Sequence, residues 1–182
     1  MVDSHARDVL SSQGQAAYQR GDYPESAEKF KAAAEAYQSV GDSLTAAEMH
    51  NNASVAYLQA GNAEAALAEA AGTPEIFASL GDLRRQAMAI GNRAAALAGL
   101  HRVEEALEAY ELSASLLQQA GETDLRLHTM QAMSALQLES GRRLEALATM
   151  KAGLDDIKKP SPKQRLLQRL LDIPFNMLKN TR

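Results

Sequence analysis

Apolar and polar residues alternate along the chain with the period of an α-helix. In the stretch SLTAAEMHNNASVAYLQA, Ala53, Ala56 and Tyr57 recur at the spacing i, i+3, i+4, which places them on one helical face. A second alanine-rich stretch, AEAALAEAA, follows after only a few residues. Because so short a connection leaves little room for any other arrangement, the pattern predicts two helices packed antiparallel.

Residues that begin and end helices stand at the borders of these stretches. Asp42 precedes the first stretch, and its carboxylate can accept hydrogen bonds from the exposed backbone N–H groups of a first turn. Gly61 and Asn62 follow it, and both tolerate the left-handed backbone that ends a helix. Gly81 ends the second stretch in the same way. The unit between Asp42 and Gly81 is therefore predicted to be one helix pair.

The same unit recurs along the chain with a period of 40 residues. No insertion interrupts the period, so we predict four repeats within residues 4–160. Their approximate bounds are 4–41, 42–81, 82–121 and 122–160. Three sets of positions share the period: Gly41, Gly81 and Gly121; Gly21, Gly61, His101 and Gly141; and Ser26, Ala66, Ala106 and Ala146.

The third set of periodic positions carries only small side chains, which let the two helices of a pair approach closely. A larger residue stands four positions later in three repeats, at Phe30, Tyr110 and Met150. One helix pair cannot bury its apolar face alone, whereas stacked pairs bury a continuous core. The predicted fold is therefore an all-α array of four antiparallel helix pairs.

The segment EAAGTPEIF interrupts the second helix of the second repeat. Pro74 aligns by period with Ala34 and Ala114, so no residue has been added and the segment is not an interdomain linker. Thr73 can cap a restarted helix whose first turn accepts Pro74. We expect a local kink that changes the curvature of the array. The alternative is that backbone groups freed at residues 70–72 line a pocket.

The repeats resemble the tetratricopeptide (TPR) family. The segment GQAAYQRGDYPESAEKF has the family's small residue, aromatic residue and Gly-Asp-Tyr turn. The same pattern recurs in ASVAYLQAGNAEAALAEA and AAALAGLHRVEEALEAY, and the resemblance covers about residues 4–158. The family's common repeat has 34 residues, so this chain is similar to the longer-helix branch of kinesin light chains and cell-polarity adaptors. The resemblance implies a right-handed superhelical array. HEAT and armadillo repeats, with periods near 40, are the alternative.

In the TPR family, the first helix of each repeat lines a concave groove that holds peptides. The resemblance implies that Asn52 and Asn92 grip a peptide backbone, since an amide both donates and accepts hydrogen bonds. The alternative is that each asparagine only bonds a neighbouring helix. The full set of candidate peptide-binding residues is Ser12, Gln15, Glu48, Asn51, Asn52, Gln59, Met88, Asn92, Arg93, His128 and Gln131.

The side chains on this predicted groove suggest the chemistry of its partner. They include acids but few bases apart from Arg93, and small residues such as Ala95 and Gly99 line the third repeat. We expect a neutral or basic peptide with a bulky side chain. TPR receptors of chaperone tails clamp a terminal carboxylate with lysine and asparagine, but Ser11 and Gln15 stand at those places here.

Composition and charge argue against several other classes of function. The 182 residues include no cysteine, and no His spacing or glycine-rich phosphate loop indicates a metal, a cofactor or a catalytic site. The net charge of −4 argues against a nucleic-acid partner. No signal peptide or membrane span is recognisable, so we expect a cytoplasmic protein.

Residues 161–182 form a basic amphipathic segment. Its apolar residues Leu166, Leu167, Leu170, Leu171 and Ile173 are opposed to Lys163, Arg165 and Arg169. We expect a helix that caps the apolar end of the array. The alternatives are a self-association helix and an interfacial membrane helix. We expect Pro174 to limit the length of the helix, which argues against the membrane helix.

The sequence thus predicts a non-catalytic scaffold that binds a peptide or partner segment in its concave groove. Two alternatives remain open: a self-assembling module that uses residues 161–182, and a sensor whose array changes pitch when it binds a peptide.

Overall fold

The computed structural model describes the backbone of residues 4–179 and the side chains of residues 6–173. Ten helices and no strand occur in this part of the chain. The last three residues of the predicted tail, 180–182, lie outside the described residues. The helices are α1 (Ser4–Gln19), α2 (Tyr23–Gln38), α3 (Ser43–Gln59), α4 (Ala63–Glu69), α5 (Thr73–Ser79), α6 (Leu83–Gly99), α7 (Val103–Gln119), α8 (Thr123–Glu139), α9 (Arg143–Asp155) and α10 (Pro162–Lys179).

The helices pack in antiparallel pairs: α1 with α2, α3 with α4 and α5, α6 with α7, and α8 with α9. Consecutive pairs are joined by equally short corners, and α2, α5 and α7 pack against the first helix of the following pair. The predicted all-α array of helix pairs is confirmed.

Each corner contains one residue in the left-handed conformation. Gly41, Gly81 and Gly121 have φ values of 81°, 70° and 74°. The backbone N–H of the residue after this glycine then donates to a carbonyl of the helix's last turn, as from Asp82 N to Phe77 O at 3.0 Å. The glycines of the 40-residue period therefore occupy matching corners. The same geometry recurs every 20 residues, at Gly21, Gly61 and Gly141 and at the non-glycine His101 with φ 58°.

Small residues set the distance between the helices of a pair. Ser26, Ala66, Ala106 and Ala146 are all buried. The hydroxyl of Ser26 donates to Gly14 O at 2.9 Å, which shows how closely α1 and α2 approach. The predicted role of this periodic set in close packing is confirmed.

The second repeat is broken where the sequence predicts it. Helix α4 ends at Glu69, Gly72 adopts φ 76°, and α5 begins at Thr73. Thr73 does not cap α5, however, because its hydroxyl donates backwards to Ala70 O at 3.1 Å. The break turns Phe77 into the core, where it is 2% exposed and packs with buried alanines of α3 and α6.

Helix α10 packs against α9 at the end of the array. Leu171 is buried with Leu127 and Leu154. The helix continues through Pro174 to Lys179, so the prediction that this proline limits it is wrong. A proline removes one backbone donor, and α10 tolerates that loss. The argument against a membrane helix that rested on Pro174 therefore has no support.

Candidate functional site

A continuous trough runs along one face of the array, on the side of α1, α3, α6 and α8. It consists of three adjoining cavities of about 230, 220 and 290 Å³. Asn52 lines both the first and the second cavity, and Met88 lines both the second and the third. Because the shared residues join the cavities, an elongated ligand can contact all of them.

The first cavity lies between the first helix pair and α3. Gln15 of α1 and Val55 of α3 form two sides, and the aromatic rings of Tyr18 and Phe30 form the rest with Asn52. Phe30 is itself buried, at 3% exposure. This end of the trough therefore combines an apolar base with two amide side chains that can donate and accept hydrogen bonds.

The second cavity, between α3 and α6, brings together four of the predicted residues: Glu48, Asn51, Asn52 and Met88. Arg84 and Arg85 of α6 also line it. The expectation of acids with few bases is therefore wrong for this cavity. The cause is local, because Asp82 caps α6 through the N–H of Arg85 at 2.9 Å and so sets both arginines in the first turn.

The charges of the second cavity are paired. Arg85 lies 3.0 Å from Glu48 across α3 and α6, and Arg84 lies 3.1 Å from Glu122 at the start of α8. Such partly exposed pairs contribute about 0–1 kcal/mol to stability. Their main effect here is to hold neighbouring first helices in register and to balance the charge of the trough.

The asparagines of the trough have different environments. The amide of Asn92 donates to Asn51 Oδ1 at 2.8 Å and so links α6 to α3. The Asn52 side chain makes no hydrogen bond within the described residues. The amide of Asn52 therefore keeps its full capacity to donate and accept hydrogen bonds, whereas the amide of Asn92 is partly used inside the protein.

The third cavity, between α6 and α8, is bordered mainly by small or apolar residues. Ala95 of α6 and Ala132 of α8 form opposite sides, and His128 and Asn92 supply polar groups. The base is formed by α7, from which Tyr110 contributes a buried ring. The small side chains explain why this is the largest of the three cavities.

Four candidate residues lie elsewhere. Ser12 lines a separate shallow cavity along α1, and Gln59 and Gln131 are exposed without lining any of the three cavities of the trough. Arg93 lies on the opposite side of α6, in a cavity with Leu67 of α4. Leu97, one turn later on α6, lines that same cavity, so Arg93 belongs to the face of α6 that is turned away from the trough.

Sequence reasoning missed several residues of the trough. Arg84 and Arg85 were detectable in principle, since GDLRRQ places two bases directly after the helix cap Asp82. Phe77 and Tyr110 carry no such signal, because they come from second helices and reach the trough only through packing.

Neither a metal centre nor a membrane span is found in the part of the chain that the structure describes. Residues there include no cluster of three or more His, Asp or Glu side chains placed to hold a metal ion. None of the ten described helices combines the length and apolar content that a bilayer crossing requires.

The chain was compared with known proteins. The family model described as Soluble NSF attachment protein, SNAP, matches residues 4–167, which covers most of the chain. None of the curated proteins compared with the chain matches it. The family match is consistent with TPR-like helical repeats. The narrower resemblance to kinesin light chains and cell-polarity adaptors stays a prediction.

Proposed function

The chain belongs to the soluble NSF attachment protein family, and on that premise we propose that it is a non-catalytic adaptor that binds a segment of a partner protein in the trough. The family consists of helical, non-enzymatic adaptors. Its description names a protein, NSF, as what its members attach to, which supports a protein partner for this chain. A cytoplasmic location is part of the proposal.

The observation that carries the proposal is the continuity of the trough. Three cavities joined at Asn52 and Met88 cross the first helices of all four repeats. Neither a small metabolite nor a single side chain needs a site of that length. An elongated polypeptide segment does, because it can bury one side chain in each cavity.

Each cavity supplies a different kind of contact. The amide of Asn52 can pair with the backbone of the partner irrespective of sequence. Met88 offers a flexible, polarizable side chain at the junction of two cavities, and such residues adapt to varied partners. The cavity between Ala95 and Ala132 accepts a bulky apolar side chain. We therefore infer an apolar anchor in the third cavity and backbone recognition in the first two.

The balanced charge of the trough favours a neutral segment. Glu48 pairs with Arg85, and Arg84 pairs with Glu122, so no unpaired carboxylate remains in the second cavity to select a base. A neutral partner lies within the neutral-to-basic range that the sequence predicts. A strongly acidic or basic segment gains little there, since each new ion pair displaces an existing one.

Affinity capture with matched variants tests the proposal. Immobilised wild type and an Asn52→Ala/Asn92→Ala variant are incubated with lysate, and bound proteins are identified by mass spectrometry. An Ala132→Trp variant fills the third cavity, and Ala78→Trp places the same side chain at an exposed position outside the trough. The proposal expects at least one protein retained by wild type and Ala78→Trp and lost from both trough variants. Identical captured sets for all four proteins would contradict it.

A further inference from the structure

Helix α10 exposes a row of apolar side chains. Leu166, Leu170 and Ile173 are 60%, 53% and 54% exposed. Their spacing of i, i+4 and i+7 places them on one face of the helix. In a water-soluble array, such a contiguous apolar row indicates a surface that another molecule covers. We call these three residues the leucine row.

The leucine row is held in place from the opposite side of α10. Lys151 of α9 lies 2.6 Å from Asp172, and the Gln168 amide donates to Leu154 O at 2.7 Å. Leu171 is buried beneath them with Leu154. Because these contacts fix the rotation of α10 on α9, the leucine row faces away from its own chain.

A second incomplete surface lies on the side of the array opposite the trough. A cavity of about 430 Å³ separates α4 from α7, and Leu67, Leu97 and Leu112 supply its apolar lining. Leu112 is 48% exposed. Glu105 and Glu108 also line this cavity, as do Arg93 and Arg102, and Arg102 is ion-paired with Glu105 at 2.6 Å. We call this surface the α4–α7 groove.

The exposed, unpaired charges beside the two surfaces have opposite signs. Lys163, Arg165 and Arg169 stand on α10 beside the leucine row, and none of them has an ion pair within the described residues. Glu108 and Glu111 of α7 are exposed and likewise have no ion pair there. The asymmetry extends along the whole sequence, since residues 158–182 carry seven bases and one acid in a chain of net charge −4.

We propose that the leucine row of one molecule docks in the α4–α7 groove of a second copy of the same chain. Leu166, Leu170 and Ile173 would enter between α4 and α7, and Arg165 and Arg169 would face the carboxylates of α7. The two surfaces differ, so the contact is heterologous and continues from copy to copy, as a ring or as an open chain of molecules. The trough lies on the other face and stays free in every copy, so assembly would multiply binding sites for one partner.

Sedimentation velocity over a concentration series, with the full chain, tests the proposal. The wild-type sedimentation coefficient should rise with concentration and fall back when salt is added. Leu166→Glu/Leu170→Glu should remain monomeric, and both positions are exposed, so the fold is retained. Leu80→Glu changes an exposed leucine at a distant corner and should associate like wild type.

Charge reversal identifies the partner surface. Arg165→Glu/Arg169→Glu makes the α10 surface acidic, and Glu108→Arg/Glu111→Arg makes the groove basic. For each variant alone, association should be at least about tenfold weaker than for wild type, because like charges then face each other. An equimolar mixture should associate again, since every α10 then finds a groove of opposite charge on the other variant.

Three outcomes would overturn the proposal. The first is a wild-type protein that stays monomeric at every concentration. The second is a charge-reversed variant that associates by itself as strongly as wild type. The third is a leucine row that binds vesicles of anionic phospholipid in flotation assays while the protein remains monomeric, which would identify a membrane surface as its partner. None of these substitutions lies in the trough. If the self-association proposal fails, the proposed adaptor function is therefore unaffected.

Discussion

The amide of Asn92 donates a hydrogen bond of 2.8 Å to the side-chain oxygen of Asn51, and this bond joins the first helices of the second and third repeats. In the 40-residue repeat, however, the position equivalent to Asn92 is Asn52 and not Asn51. The structure thus separates the roles of two adjacent asparagines. Asn51 connects the repeats, and Asn52 faces the space in which we propose that a partner binds.

This division of roles predicts opposite effects for two neighbouring substitutions. Asn51→Ala should lower the free energy of unfolding by about 1 kcal/mol, because it leaves the Asn92 amide without its partner. Asn52→Ala should change it by less than about 0.5 kcal/mol, since no bond within the described residues is lost. Urea denaturation of both variants measures the difference.

A double-mutant cycle provides the control. If the bond exists, the cost of Asn51→Ala should largely disappear in an Asn92→Ala background, with a coupling of about 0.5–1 kcal/mol. Additive effects would show that the two side chains do not interact in solution.

His101 should be a site where glycine stabilises the protein. Its φ of 58° lies in the left-handed region, which costs a non-glycine residue about 1 kcal/mol or more. His101→Gly should therefore raise the free energy of unfolding by about 1 kcal/mol, as thermal or urea denaturation can measure.

The matched control is Gly61→Ala, one period earlier. Gly61 has φ 78° and no atom near the position of an added Cβ, so only backbone strain opposes the alanine. This variant should lose about 1 kcal/mol. Equal stabilities for wild type and His101→Gly would show that the corner at residue 101 is not left-handed.

Stability should depend on Glu69 in a pH-dependent way. Burial acts to raise the pKa of Glu69, but its hydrogen bond with His50 and the charges of His50 and Lys31 outweigh burial and lower the pKa. A carboxylate with a lowered pKa stabilises the fold at neutral pH and loses that effect as pH falls through its folded pKa. Glu69→Gln should cost about 1–2 kcal/mol at neutral pH and progressively less in acid.

Urea denaturation of wild type and Glu69→Gln at neutral and acidic pH measures this dependence. Glu64→Gln is a suitable control, because Glu64 lies on the same helix, is exposed and has no ion pair within the described residues. The stability of Glu64→Gln relative to wild type should change little with pH. A constant difference between Glu69→Gln and wild type at all pH values would show that the charge of Glu69 contributes nothing.

The docking of α10 should depend on Leu171 and not on Leu170. Leu171 is 7% exposed and packs with Leu127 and Leu154, whereas Leu170 is 53% exposed. Leu171→Ala should weaken the docking of α10 by about 2 kcal/mol or more. Amide hydrogen exchange in α10 should then become faster, while Leu170→Ala leaves it unchanged. Equal exchange in both variants would contradict the packing seen here.

The repeating geometry was predictable because it depends on residues with strong backbone preferences. Glycines at 41, 81 and 121 mark left-handed corners, and small residues such as Ala66 mark close helix contacts. The 20-residue spacing of corners was harder to recognise, because His101 replaces one glycine in that series.

The composition of the trough was less predictable. The sequence assigned Arg93 to it, but Arg93 lies with Leu67 and Leu97 in the cavity on the other side of α6. It omitted Phe77, whose position depends on the break at Gly72 and therefore on tertiary packing. Which side chains meet across helices is decided by rotations that a linear pattern does not specify.

Site-specific photo-crosslinking tests the central claim most directly. A photoreactive phenylalanine analogue is placed at Ala95 or Ala132 in the trough, or at Ala78 outside it, and each protein is irradiated with the captured partner. Binding in the trough should give crosslinks from positions 95 and 132 and none from position 78. Crosslinks from position 78 alone would place the partner on another surface and contradict the account.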